Sequence, residues 1–315
     1  KPVYLKIDDD NVTIEDASHV WGKGTFETNA VLSKENGDTF DVISIGQAGE
    51  NLVPMSCMVT SVGNSGGVGA VLGSKKLKAL VCRGTGAVKI ARPMEVRLLS
   101  NYMIKELVGG NNNHNVPSVP QSWAEYSATV KNRWQGAPGV VWGKAPNGPI
   151  DTGEQPVGQI NVAAMRCQKG VFDFGHVAEK YTVKQGGCSS CPVRCYTEYE
   201  MDPLADYDLP THVSNTCMPI VAQANIYPEG THDGVWCNYG NLYTDFSRLY
   251  KDGILKEHMT EEEWNAVPWD LMKNGDPRWT VEFYRLIAEG KGVWGEIGKG
   301  TYYLYHAWGL DDATK

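Results

Sequence analysis

Three cysteines within eight residues, Cys188-Ser189-Ser190-Cys191-Pro192-Val193-Arg194-Cys195, constrain this chain more than any other feature. Thiols this close share a metal, are oxidised together, or are inert. The spacing C-x2-C-x3-C suits an iron–sulfur cubane, which takes three neighbouring thiolates and one distant ligand, whereas structural zinc usually pairs its ligands two and two. A [4Fe-4S] cluster on Cys188, Cys191 and Cys195 is the leading expectation, with zinc and an inert coincidence as alternatives. The order C-x3-C-x2-C of radical-SAM enzymes is absent. Lys184 and Arg194 would moderate the negative charge of such a cluster and raise its potential, or are simply surface charges. The other cysteines, Cys57, Cys82, Cys167, Cys217 and Cys237, are scattered singly, and eight in 315 residues are too sparse for a disulfide scaffold. Cys217 and Cys237 have the apolar or aromatic neighbours of ordinary buried cysteines, so no fourth ligand stands out.

Glycine is the second constraint: 35 of 315 residues, about one in nine against a usual ~7%. It is densest at Gly63, Gly66, Gly67, Gly69 and Gly73. Leu72 stands where the dinucleotide fingerprint needs glycine or alanine, and Gly73-Ser74-Lys75 lacks the Gly-Lys-Ser/Thr order of a P-loop. A side-chain-free loop entering a helix still exposes unpaired N–H groups, which favours an anion site; tight helix-on-sheet packing explains the same glycines equally well.

Around these features the pattern predicts mixed structure. Val3–Ile7 and Val12–Ile14 alternate about the turn Asp8-Asp9-Asp10-Asn11 as a hairpin, and Asp41–Ile45 and Leu77–Cys82 read as strands. A helix is expected from Thr25 to about Lys34, with Phe26, Ala30 and Val31 on its apolar side and Asn36-Gly37 as its stop. Another is expected after Arg92-Pro93, with Val96, Leu99, Met103 and Leu107 on one face. The stretch from Asn111 to about Gly158 lacks periodicity, which is common in functional or surface-wrapping segments. Helices return with the face Leu242, Phe246, Leu249, Tyr250, the capping box Thr260-x-x-Glu263, and the helix start Asp276-Pro277 ahead of Phe283 and Ile287. A boundary falls near residue 86, giving one large or two modest domains.

The formal charge of −8 and a longest basic cluster of only Lys75-Lys76-Leu77-Lys78 argue against nucleic acid, whose binding is driven by neutralising phosphates. No run approaches the ~18 apolar residues of a membrane span, and the opening Lys1-Pro2-Val3-Tyr4 is no secretory leader, so a soluble chain is expected.

Three segments in order, Gly46-Gln47-Ala48-Gly49-Glu50-Asn51-Leu52-Val53, the run from Gly66-Gly67-Val68-Gly69 to Leu77-Lys78-Ala79, and the cysteine triplet, together resemble the aldehyde:ferredoxin oxidoreductase family. Gln121–Ser127 and Lys180–Lys184 are similar to one enterobacterial branch of it, and Val3 to Gly24 is also similar to the tungsten benzoyl-CoA reductase subunit. The resemblance implies an α+β fold: residues 1–86 as the C-terminal part of a two-sheet, pterin-binding base domain, then residues 87–315 as a mainly α-helical domain carrying the iron–sulfur cysteines. It implies a middle portion of a chain about twice as long, the remainder carrying the fourth cluster cysteine and a second pterin loop. Relatives also have a longer, mostly helical stretch where this chain passes from Tyr227-Pro228-Glu229-Gly230 to Thr231-His232-Asp233.

The resemblance further implies tungsten or molybdenum held by two pyranopterins, with Mg as an accompanying ion. The pterin phosphates would lie against Asn64, Ser65, Gly66 and Gly67, and against Asp233, Gly234 and Val235, which stand at the D-x-x-G-L-(D/C) pterin loop. Thr231 replaces the first aspartate of that loop, Trp236 its final Asp or Cys, and Ser65 the arginine of a frequent Arg-Gly-Gly. Between the cluster and the second pterin loop relatives place carboxylates; Pro210–Cys217 has none, which leaves His212 as the candidate proton donor or acceptor. The function implied is two-electron chemistry on a small carbonyl-type substrate, with electrons leaving through the [4Fe-4S] cluster to a ferredoxin or ferredoxin-like subunit, in the cytoplasm and in a homodimer or such a complex. The alternative is a non-catalytic electron-transfer or scaffold subunit.

Overall fold

A computed structural model of the chain describes residues 1–61, 65–102, 182–186, 196–200, 211–214, 230, 232–236, 242–274 and 278–310. Its N-terminal part is a mixed six-stranded sheet in the order β2-β1-β6-β3-β4-β5. Strands β1 (Val3–Asp8) and β2 (Asn11–Asp16) form the expected hairpin, closed at Asp8↔Asn11. Asp9 takes a positive φ of 52° in this two-residue turn, a conformation that a short polar side chain tolerates. Strand β6 (Leu77–Arg83) runs parallel to β1 and antiparallel to β3 (Asp41–Ile45), and β4 (Met58–Thr60) and β5 (Ser65–Gly66) complete the far edge. Between the pairs Val3↔Leu77 and Tyr4↔Ala79 the register slips, so Lys78 is the extra residue of a bulge. Bulges re-aim side chains.

Helix α1 (Thr25–Asn36) packs on the sheet, but not by the face that its apolar spacing predicts. Thr25, Thr28, Asn29 and Leu32 are buried, while Ala30 is exposed and Phe26 and Val31 are half-buried. Asn29 is satisfied from the sheet: Ser44 Oγ donates to Asn29 Oδ1 at 2.7 Å, and Asn29 Nδ2 donates to Val59 O at 3.2 Å, whereas Thr28 Oγ1 is buried without a partner. Around them Tyr4, Leu32, Val42, Ala79 and Val81 make one core cluster. Short helices α2 (Gln47–Glu50) and α3 (Gly69–Ser74) follow β3 and β5. Helix α4 (Pro93–Tyr102) forms where expected, yet Val96 and Leu99 are exposed; the rest of its predicted stripe, Met103 and Leu107, lies outside the described residues. A second, three-stranded sheet pairs β7 (Thr182–Gly186), β8 (Tyr196–Glu200) and β9 (His212–Ser214).

The C-terminal part is helical: α5 (Leu242–Lys251), α6 (Ile254–Glu257), α7 (Glu261–Ala266), α8 (Trp269–Lys273), α9 (Arg278–Glu289), α10 (Gly292–Ile297) and α11 (Thr301–Ala307). Phe246 sits in an aromatic core with Trp269, Trp279, Phe283 and Trp294, its ring edge-on to Phe283 at 4.8 Å. The capping box at Thr260 and Glu263 is complete; Asp276-Pro277 lies outside the described residues. Ala48, Val53, Met55 and Val235 belong to this aromatic core rather than to the sheet cluster. Asn51 Nδ2 donates to Ala288 O and Met55 N–H to Gly298 O, so the segment after α2 is bound into the helical part. Among the described residues no helix is long and apolar enough to cross a membrane.

Candidate functional site

Four backbone segments converge at one end of the six-stranded sheet: the exit of β3 into α2, residues 54–57, the Gly66–Gly69 turn, and residues 232–236. Their meeting depends on glycine where chain lies on chain. A Cβ on Gly46 would fall 2.4 Å from the Asp233 carbonyl, and Gly234, at φ 77°, faces Gly46 in return. A Cβ on Gly73 would sit 1.8 Å from Gly49 O. The junction is laced by main-chain bonds: Ala48 N–H to Asp233 O at 2.9 Å, Cys57 N–H to Gly234 O at 2.7 Å, Trp236 N–H to Met55 O at 2.9 Å, and a bridge between Ser56 and Val235.

Of the residues expected to grip an anion, Ser65, Gly66, Gly67, Asp233, Gly234 and Val235 are thus brought to one place, and Asn64 lies outside the described residues. Gly67 is exposed, and among the described residues its N–H donates to no backbone carbonyl. Trp236 closes one side: a Cβ on Gly67 would meet the indole at 2.3 Å. Two polar atoms of this junction, Ser56 Oγ and His232 Nδ1, are buried with no hydrogen-bond partner. Burial pushes the Cys57 thiol up to about 12, so it stays protonated and is a poor metal ligand.

Beneath the junction lies an ion pair that composition and spacing did not reveal. Lys78 Nζ reaches Glu50 Oε1 and also donates to Lys23 O at 2.7 Å, while both Glu50 oxygens accept Gly22 N–H at 3.0 and 2.9 Å. Gln47 Nε2 adds a bond to Gly22 O at 2.7 Å. Burial pushes the Lys78 ammonium below its ordinary range, and the Glu50 carboxylate opposes that. His232 packs against Gly24 and the Phe26 ring, with centroids 5.6 Å apart. Burial lowers its pKa to about 4, Glu27 pulling it up and Lys78 pushing it down, so the imidazole is neutral at pH 7.

Cys188, Cys191, Cys195 and Arg194 lie outside the described residues, in the stretch of sequence between β7 and β8, whose last pair is Gly186↔Tyr196. His212 opens β9 opposite Glu200. Among the described residues no three His, Cys, Asp or Glu side chains gather as a metal site. A lysine within a strand-like run reads as a solvent-facing residue, and the bulge that turns Lys78 inward to Glu50 leaves no mark on the hydrophobic pattern.

Comparison with known proteins covers both parts of the chain. A family model described as "Aldehyde ferredoxin oxidoreductase, N-terminal domain" matches residues 1–84, and one described as "Aldehyde ferredoxin oxidoreductase, domains 2 & 3" matches residues 156–314. The tungsten-containing aldehyde ferredoxin oxidoreductase of Pyrococcus furiosus is 28% identical over 98% of this chain and 49% of its own length. That of Thermococcus kodakarensis is 33% identical over the same shares. The chain therefore spans about half the length of the curated relatives it matches. A solved structure titled "Active site complex BamBC of Benzoyl Coenzyme A reductase in complex with 1,5 Dienoyl-CoA" shares the fold, with a TM-score of 0.65 at 24% identity over 100% of this chain and 47% of that one.

Proposed function

The chain belongs to the aldehyde ferredoxin oxidoreductase family, and from that premise we propose that it is the central portion of a tungsten- or molybdenum-pterin oxidoreductase with a [4Fe-4S] cluster. Residues 1–86 form the end of its pterin-binding domain and residues 87–315 most of its helical domain. When bound, the metal–pterin centre supplies two-electron exchange with a carbonyl-type substrate, and the cluster supplies one-electron exchange with a ferredoxin-like acceptor.

The chain's own residues have the following parts. Gly66 and Gly67 offer bare backbone to a pterin phosphate, with Ser65 and Asn64 next in sequence; Asp233 stands on the second loop, and Gly234 and Val235, which the resemblance also assigned to the phosphate, are buried behind it and hold that loop in place. The observation that carries this reading is the apposition itself: the exposed Gly67 lies against Trp236 of a second loop, which is locked to the exit of β3 across Gly46 and Gly234, with Ser56 Oγ and His232 Nδ1 buried nearby and unpartnered. Such a site suits a ligand held by main-chain N–H groups. Cys188, Cys191 and Cys195 hold iron, the fourth ligand coming from elsewhere in the protein. His212 exchanges a proton near the substrate. Mg would accompany the pterin phosphates, and the cytoplasm suits an oxygen-sensitive cluster.

One observation favours a second reading, an electron-transfer or scaffold subunit that keeps the cluster without a metal–pterin centre: the Trp236 indole lies where a side chain on Gly67 would be, narrowing the cradle. Elemental analysis and acid extraction of the native, anaerobically purified full-length protein decide between them. Tungsten or molybdenum with about two pterins per metal, alongside about four iron atoms, is the expected result. Iron without pterin supports the second reading, and stoichiometric zinc without iron overturns both.

A further inference from the structure

We infer that Lys78, Glu50 and Gly24 are positioning residues for the 232–236 loop: the buried ion pair pins the Gly22–Gly24 turn, and Gly24 in turn fixes where His232 and the loop behind it come to rest. This rests on the pterin-cradle reading above and deepens it.

Side chains from α2 and β6 fasten the turn. Glu50 holds Gly22 N–H with both oxygens, Gln47 Nε2 holds Gly22 O, and Lys78 Nζ holds Lys23 O. Lys78 is fully buried, so its hydrogen bonds exchange little with water and the turn has little freedom. On its outer side the same turn carries the exposed Lys23–Glu27 pair, which adds little holding force.

Gly24 passes the constraint on. Its φ of −68° and ψ of 170° are open to any residue, and although it caps α1 it supplies no side-chain cap. Neither reason for glycine applies. What demands it is the His232 imidazole, which occupies the place of a Cβ: Cε1 and Nε2 would each lie 2.3 Å from one. His232 is held there by shape, since its Nδ1 is sealed and has no partner and Phe26 packs on the ring. Its position therefore follows that of Gly24. The next residues deliver that position to the cradle, through Asp233 O on Ala48, Gly234 O on Cys57, and Trp236 against Gly67.

The test uses the native full-length enzyme and three variants: Gly24→Ala, Gly24→Ala with His232→Ala, and Lys78→Met with Glu50→Leu. Pterin per protein after acid extraction, iron per protein and the melting midpoint are read for each. Gly24→Ala is expected to lower pterin retention about tenfold or more with iron unchanged, as loss of an orienting partner does at other cofactor sites. Removing the obstructing ring in the double variant recovers most of it, and the apolar replacement of the ion pair lowers retention while leaving a folded protein. Wild-type retention in Gly24→Ala, or a double variant no better than Gly24→Ala, overturns the inference. If Gly24→Ala is insoluble, recovery of soluble protein by the added His232→Ala supports the contact, and no recovery overturns it. If the native enzyme holds no pterin, the cradle reading fails separately; additive melting shifts of the two substitutions would then end the positioning inference, and strong non-additivity would sustain the contact on which it stands.

Discussion

Lys78 Nζ lies 2.5 Å from Glu50 Oε1 inside the protein, the lysine side chain 0% and the glutamate 6% exposed. A pair so placed is costly to break from one side, because the surviving charge is left buried without its partner. Lys78→Met is expected to lower stability by about 3–5 kcal/mol. Adding Glu50→Leu removes the stranded carboxylate and recovers part of that, the remainder being the bonds to Gly22. Chemical unfolding of the two variants checks it; a double variant as unstable as the single would count against the pair.

His232 makes stability depend on pH. An unfolded histidine titrates near 6.5, and this one is lowered to about 4 by burial. Between those values the unfolded chain binds more protons, so stability is complete above pH 6.5 and is lost as pH falls toward 4, by about 3 kcal/mol in all. Urea unfolding at pH 7 and pH 4.5 is expected to lose that component in His232→Phe. An unchanged pH dependence would place the titration elsewhere.

Glycines divide sharply by surroundings. Gly73→Ala puts a Cβ 1.8 Å from Gly49 O, a backbone atom that cannot swing aside, whereas a Cβ on Gly84 meets nothing within 4 Å. Gly73→Ala should cost well over the ~1 kcal/mol of an average substitution, and Gly84→Ala should stay within about 0.5 kcal/mol of wild type. Melting midpoints of the two proteins give the comparison.

Glu263 serves two helices at once. Thr260 N–H donates to its Oε2 at 2.8 Å, and Val293 N–H donates to its Oε1 at 3.1 Å, joining the start of α7 to α10. Thr260→Ala should cost about 1 kcal/mol, and Glu263→Ala should cost more because two N–H groups lose their acceptor. The bond from the Thr260 backbone lowers the Glu263 carboxyl below its ordinary value, so this contribution is present near neutrality and fades as pH falls through the lowered value. A double-mutant cycle in denaturant should show non-additivity; simple additivity would contradict the shared cap.

Much of this architecture is legible in the residues themselves. The hairpin, the strands Asp41–Ile45 and Leu77–Arg83, the end of α1 at Gly37 and the capping box follow from alternation and from end signals that act locally. The buried side of α1 is not legible, because Asn29 is tolerated inside only through partners on β3 and β4 that are distant in sequence. The glycine-rich run announces close approach but not its object. Gly67 meets Trp236, Gly69 meets Ser56 and Gly73 meets Gly49, and only the folded chain assigns those partners. Lys78 was hidden by the bulge, and His232 stands at an unspecified position of the pterin-loop pattern, which gives it no role.

The segment after α2 gives Val53 and Met55 to the aromatic core and donates a bond to Gly298 O, while the strand before it belongs to the sheet. A fragment ending near residue 86 would leave those side chains facing water with their covering helices gone. Sheet and helices should accordingly melt in a single calorimetric transition, and a protease cut between them should release sticky pieces rather than two independently folding ones.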